Sequence, residues 1–157
     1  MTQKDLKAME RAHKKRDIFV EGAIPASFIS ESIAKHATRT DIGAHEIFLG
    51  QVRADVIEGK TVDAIEYTAY RDMANDQMTA IREDAFARWP AMTCLHVHHS
   101  QGLIKAGELC FMVFASAPHR QQAREAVAFV TDEVKKRLPI VGKEIFSDHT
   151  HIWKANT

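Results

Sequence analysis

Between Glu108 and Ser116 the chain reads ELCFMVFAS, apolar at both alternate positions. Successive side chains of a strand point to opposite faces, so a strand of this composition has to be covered on both sides. One cover follows directly in the sequence. Pro118 opens a helical pattern running to Leu138, in which Ala123, Val127, Val130, Val134 and Leu138 form a buried stripe. A two-sided strand feeding an amphipathic helix restricts the chain to layered sheet-and-helix architectures.

The rest of the chain supplies the other elements. Ile18–Glu21 reads as a short first strand, and after Pro25 the spacing of Phe28, Ile29, Ile33 and Ala34 predicts a helix ending near Thr38. Ala44–Val52 (AHEIFLGQV) reads as a strand containing a glycine, Ala54–Lys60 as a turn, and Thr61–Tyr70 as a further strand. From Asp72 to Trp89, Ala74, Met78, Ile81, Ala85 and Trp89 recur at helical spacing, and Pro90 stops the helix. Thr93–His99 alternates, with Leu95 and Val97 inward and His96 and His98 outward; Gln101–Gly107, with two glycines, reads as a turn region. A segment Lys143–Asn156 contains Ile145, Phe146 and Trp153. Strands joined by short turns as well as by helices predict an α+β domain with a mixed, largely antiparallel sheet and three main helices. One domain over 17–157 is expected, preceded by a basic arm over 1–16 that is either solvated or a binding tail.

Charge narrows the function classes. The 157 residues carry 21 Lys+Arg against 21 Asp+Glu, so nothing global suggests a nucleic-acid or membrane partner. Any anion site has to come from a local cluster. No stretch approaches the ~20 apolar residues of a membrane span, and no apolar core follows the basic N-terminal residues. A soluble, cytoplasmic protein is expected. Cys94 and Cys110 lie in strand-like apolar runs and read as buried thiols.

Two cationic clusters stand at opposite ends of the third helix. His119 and Arg120 occupy its start, where the dipole and unpaired N–H groups disfavour cations unless an anion joins them. Such a pair is either a phosphate site or merely an exposed basic surface. Lys135, Lys136 and Arg137 sit at its end, where cations are at home; crowding there also lowers a lysine's pKa and frees its amine for chemistry. Positions 120 and 135 are separated by about 22 Å of helical rise, so one small substrate reaches both only if two copies of the chain build the site. Arg53, leaving a strand after Gly50, is a further candidate grip for phosphate or carboxylate. His96, His98 and His99 raise a zinc alternative, but no Cys pair or H-E-x-x-H spacing accompanies them, and no metal or other cofactor is expected.

In order and spacing these motifs resemble one family, the large subunit of molybdopterin synthase (the MoaE family). Phe48-x-Gly50-x-Val52-Arg53 is similar to its F-x-G-x-V-R segment, and Ile65-Glu66-Tyr67 with Tyr70 and Met73-Ala74 to its L-E-Y-x-x-Y-x-x-M-A stretch. Gly102-x-x-x-x-Gly107-Glu108 resembles its glycine turn, Ser116-Ala117-Pro118-His119-Arg120 its S-x-H-R helix opening, and Trp153-Lys154-x-Asn156 its W-K-x-N pattern. Lys135, four residues before Pro139, falls where the family has a catalytic lysine.

The resemblance implies an α/β hammerhead fold and a central homodimer within a heterotetramer. Each protomer would bind a small ubiquitin-like sulfur-carrier subunit, whose C-terminal Gly-Gly thiocarboxylate gives sulfur to cyclic pyranopterin monophosphate. Two transfers would make the dithiolene of molybdopterin. It implies Lys135 and Lys143 as catalytic residues, and Phe48, Gln51, Val52, Arg53, His119, Arg120 and Glu144 as substrate-binding, His119 and Arg120 coming from the neighbouring protomer. Two positions depart from the pattern. The family's second lysine falls on Gly142, so either Lys143 swings in to replace it or the site runs on Lys135 alone; and Ser100 stands where an arginine is usual. A member that binds the carrier without turnover is the rival reading.

Overall fold

A computed structural model of the chain describes residues 1–6 and 16–154. Its first elements are β1 (Phe19–Glu21), α1 (Ser27–His36), β2 (Ala44–Gln51), β3 (Val56–Ile57) and β4 (Lys60–Ala69). They are followed by α2 (Arg71–Arg88), β5 (Cys94–Lys105), β6 (Leu109–Ala117), α3 (Arg120–Arg137), β7 (Ile140–Phe146) and β8 (His151–Trp153). The strands form one sheet in the order β2-β6-β5-β4-β7-β8, with β1 added beside β5 and β3 beside β4. All pairs are antiparallel except β1 with β5, so the sheet is mixed and the domain is α+β.

The two-sided strand is β6, held between β2 and β5. Its Phe111, Val113 and Ala115 join Leu95, Val97, Ile65 and Tyr67 beneath α2 and α3, which supply Ala74, Met78, Ile81 and Ala85, and Ala126, Val127, Val130 and Val134. Its Met112 and Phe114 face the other way, toward Ile24, Phe28, Ile29 and Ile47. α1 has no buried residue and is a thin cover. The deep core is therefore on the α2/α3 side, where burying each large side chain contributes roughly 1.5–3 kcal/mol.

The strand pattern departs from the simple two-residue period in two places. β5 does not end at His99 but runs on to Lys105. Gly102, at φ +92°, bends it as it leaves β6 for β4, and a Cβ there would come 2.7 Å from Glu21 Oε1. The glycines that read as one loop are thus a bend at Gly102 and a tight turn at Gly107. In β4, a bulge between Val62 and Ala64 lets Val62, Ile65 and Tyr67 all reach the core. α3 starts at Arg120 rather than Pro118, with His119 as its N-cap. The segment after Pro139 is a hairpin, β7 and β8, beginning three residues earlier than Lys143. Asn156 and most of the expected basic arm lie outside the described residues. No described helix is long and apolar enough to cross a membrane.

Candidate active site

The last turn of α3 comes down over β6, and this sets Lys135 above an aromatic floor. Its Nζ lies 5.2 Å from the centroid of Phe111. The same ring meets His99 at 5.4 Å and Phe48 at 5.6 Å. The amine turns into a narrow concavity of about 390 Å³, mouth included, shared with Tyr67, His99, Leu138, Ile140, Gly142 and Lys154. The residue as a whole is exposed, but partial burial, reinforced by the charge of Lys154, pulls its pKa below that of an ordinary lysine, against the opposing influence of Cys110.

Two of the neighbours of Lys135, His99 and Tyr67, are neutral and fixed. His99 is 2% exposed, and burial pushes its pKa down to about 4, with Lys135 adding to the shift. Its Nδ1 lies 2.7 Å from the Ser100 carbonyl and donates to it, so Nε2 is left as an acceptor. Tyr67 stands edge-on to His99 at 5.0 Å and donates its hydroxyl to Cys110 Sγ at 3.6 Å. Burial drives the Tyr67 pKa upward, which keeps the phenol protonated. An amine with a lowered pKa beside neutral His99 and Tyr67 can exchange a proton or hold an anion.

Strand alternation decides which of the expected residues share this pocket. Tyr67 pairs with Gly142 across β4 and β7, and Lys154 donates its backbone N–H to the Gly142 carbonyl at 2.7 Å. One step along, Glu66, Lys143 and Trp153 pair in a row on the opposite face. Lys143 therefore points away from Lys135, with Nζ 3.3 Å from Glu66 Oε1 and 5.9 Å from the Trp153 ring. Glu144 lies on the same side as Gly142, is buried, and sits 3.8 Å from Lys154 Nζ. Phe48 reaches the site through Phe111. Val52 is a core residue whose N–H and carbonyl bond Glu108 and Gly107, while Gln51 is exposed beside a bulge in β2–β6. Arg53 is exposed and paired with Asp55 at 3.2 Å.

His119 and Arg120 are exposed at the far end of α3, about 22 Å of helical rise from Lys135. No side chain caps this helix start and no acid lies in its first turn. Lys135, Lys136 and Arg137 crowd the other end. Ser100 is fully buried with no hydrogen-bond partner for its hydroxyl among the described residues. No single motif marks Tyr67, His99 or Lys154 as a group. The available signal is the glycine at 142, a gap in a strand that something else must fill.

His36, His45, His96 and His98 lie on the α1 side. His99 is separated from His96 and His98 by the sheet itself, so the three do not form one cluster. Instead His36, Cys94 and His96 bring their ligand-type atoms within 4.8 Å of one another. Arg16 donates to His96 Nδ1 at 3.2 Å, which leaves the ring proton on Nε2, 3.4 Å from His36 Nε2. His36 in turn donates from Nδ1 to the Ser32 carbonyl at 2.6 Å. The chain of bonds is complete as it stands. A metal on His96 Nε2 would have to displace its proton beside a guanidinium.

Known proteins share this sequence pattern and fold. Residues 25–137 match the family described as MoaE protein. The chain is 42% identical over 115 residues to the molybdopterin synthase catalytic subunit of Drosophila virilis, covering 73% of this chain and 33% of that protein. It is 40% identical over 116 residues to molybdopterin synthase catalytic subunit 1 of Aedes aegypti, covering 73% of this chain and 74% of that one. The chain thus spans about a third of the length of the Drosophila relative. The crystal structure of molybdopterin synthase from Staphylococcus aureus superposes with a TM-score of 0.77 at 26% identity, covering 91% of this chain and 99% of that one. With the family match spanning most of the chain, relatives at about 40% identity and the fold in agreement, the chain belongs to the MoaE family.

Proposed function

We propose that this chain is the catalytic subunit of a molybdopterin synthase, working in the cytoplasm. In this reading it converts cyclic pyranopterin monophosphate to molybdopterin. The sulfur comes from the C-terminal Gly-Gly thiocarboxylate of a small ubiquitin-like carrier subunit. The observation that supports it most is the Lys135 amine, set in a narrow concavity with its pKa lowered. A thiocarboxylate on an extended tail fits such a slot, and a preorganised ammonium stabilises the negative charge that develops as sulfur attacks. The relatives' shared description as a subunit is consistent with a second chain.

Lys135 is the acid/base group in this reading, and the ion pair of Lys143 with Glu66 on the other face leaves the site to run without Lys143. Phosphate recognition falls to Arg53 with His119 and Arg120. Since one chain holds Arg120 and Lys135 at opposite ends of α3, the complete site needs a homodimer, each half contributing one helix start and one helix end. Two carriers on such a dimer make a heterotetramer. The test is reconstitution of the purified chain with thiocarboxylated carrier and pterin monophosphate. Molybdopterin formation is expected. Carrier binding with no product would instead favour the non-catalytic reading.

A further inference from the structure

We infer that Lys154, seated over Gly142 and held by Glu144, is the second ammonium of the Lys135 pocket and binds the carboxyl-type anion that enters it. Only the identity of that anion rests on the function proposed above. The placement follows from backbone. Lys154 is one residue beyond β8, on the parity opposite Trp153, and its N–H bonds the Gly142 carbonyl at 2.7 Å. Its stem therefore runs across the strand position that has no side chain. A Cβ built on Gly142 would lie 3.6 Å from Lys154 Cβ, 3.3 Å from Tyr67 Cε1 and 3.1 Å from Ile65 Cγ2. A side chain at 142 and the Lys154 stem compete for one space, and glycine gives that space to Lys154.

The ammonium is then fixed by Glu144, a buried carboxylate 3.8 Å away. A part-exposed lysine would ordinarily lose side-chain entropy for little return. Here a buried carboxylate, with no solvent to satisfy it, gives the lysine a reason to stay. The groups around Lys135 are Tyr67 from β4, His99 from β5, Cys110 from β6 and Lys154 after β8, with Glu144 from β7 behind Lys154 and acting on Tyr67. Lys154 is the other cation among them, and its charge acts on Lys135. Two ammoniums in one narrow slot suit the two heteroatoms of a carboxylate or thiocarboxylate end. The phosphate would be left to the arginines outside.

Trace acetylation of the intact chain as a function of pH, with the modified lysine located by peptide mass, reads the Lys135 amine directly. In Lys154→Met the midpoint for Lys135 should move to higher pH, and in Lys154→Arg it should stay near wild type. A peptide ending in Gly-Gly should protect Lys135 from acetylation, about tenfold less well in Lys154→Met, the scale of losing one charged hydrogen bond. Protection by inorganic phosphate should not change. Unchanged midpoint and unchanged peptide protection in Lys154→Met would overturn the assignment, as would a loss confined to phosphate. Wild-type chain that makes no molybdopterin yet shows the shifted midpoint would remove the function proposed above and leave Lys154 where it is.

Discussion

Histidines and a thiol lie on both faces of the sheet, and the two faces use them differently. On the α1 side, His36, His45 and His96 gather around Phe114, with ring centroids 5.2–6.1 Å from it. Each has a partner: Arg16 and His36 for His96, Ser32 for His36, and Ser116 Oγ at 2.7 Å for His45. The polar atoms are consumed internally, and burial lowers the pKa of His96, His98 and His45. On the α3 side, His99, Tyr67 and Cys110 are also bonded, yet they surround an open slot with an amine in it. A closed network rigidifies; an open one with a cation at its mouth can take a ligand.

The sharpest way to break this contrast is Lys135→Ala. The residue lies at the surface end of α3, so the fold should be unaffected while molybdopterin formation falls about a thousandfold, within the range lost with a general acid/base. Thermal unfolding and turnover measured on the same sample check both halves. A large drop in melting temperature with modest loss of turnover would mean that the pocket, like the α1 face, is structural.

Second in size is complementation. Lys135→Ala and Arg120→Ala should each be nearly inactive alone. Mixed and re-associated, they should recover about a quarter of wild-type turnover. Half of the dimers are then mixed, and each mixed dimer has one intact composite site. No recovery from subunits shown to exchange would place both residues in one protomer's site or in none.

A smaller effect is expected at Gly142. Leucine there must push against Ile65 and Tyr67 at 3.1 and 3.3 Å and displace Lys154. Overpacking of this kind is destabilising by about 1–3 kcal/mol. Turnover should fall roughly tenfold as the slot closes, with a modest drop in melting temperature. Unaltered turnover would show that the space above Gly142 is not part of the slot.

Much of the fold was legible in the sequence because it is written in periodicity. The two-sided run 108–116 became the inner strand β6, and the stripe Ala123–Val134 became the buried face of α3. Patterns fail where the backbone changes partner. β5 crosses from β6 to β4 at Gly102, which from sequence alone looks like a loop, and the bulge at Val62/Ala64 moves Ile65 and Tyr67 to the core face against a strict two-residue count. The same limit applies to the site. Lys135 is marked by its place at a helix end, but Lys154 is 19 residues away and meets it only because β7 and β8 fold back as a hairpin. Lys143, adjacent in sequence to the gap at 142, is excluded from the pocket by alternation alone.

Acid titration separates the two faces most finely. His96 and His99 both have folded pKa values of about 4, against 6.5 for the free side chain, and burial is the leading cause in each. Between these values the unfolded chain holds more protons than the folded one, so stability is complete above pH 6.5 and is lost as the pH falls toward 4. For the fully buried His99 the loss is about 3 kcal/mol; for His96, which is partly open, it is smaller. Denaturant unfolding at pH 7 and pH 4.5 should show the decline. His96→Gln should make it shallower while turnover at pH 7 stays within about twofold of wild type, because that ring is bound into the α1 face. His99→Gln should also make it shallower but should slow turnover, because its ring forms the wall beside Lys135. Equal effects of the two substitutions on turnover would mean that the sheet does not insulate one face from the other.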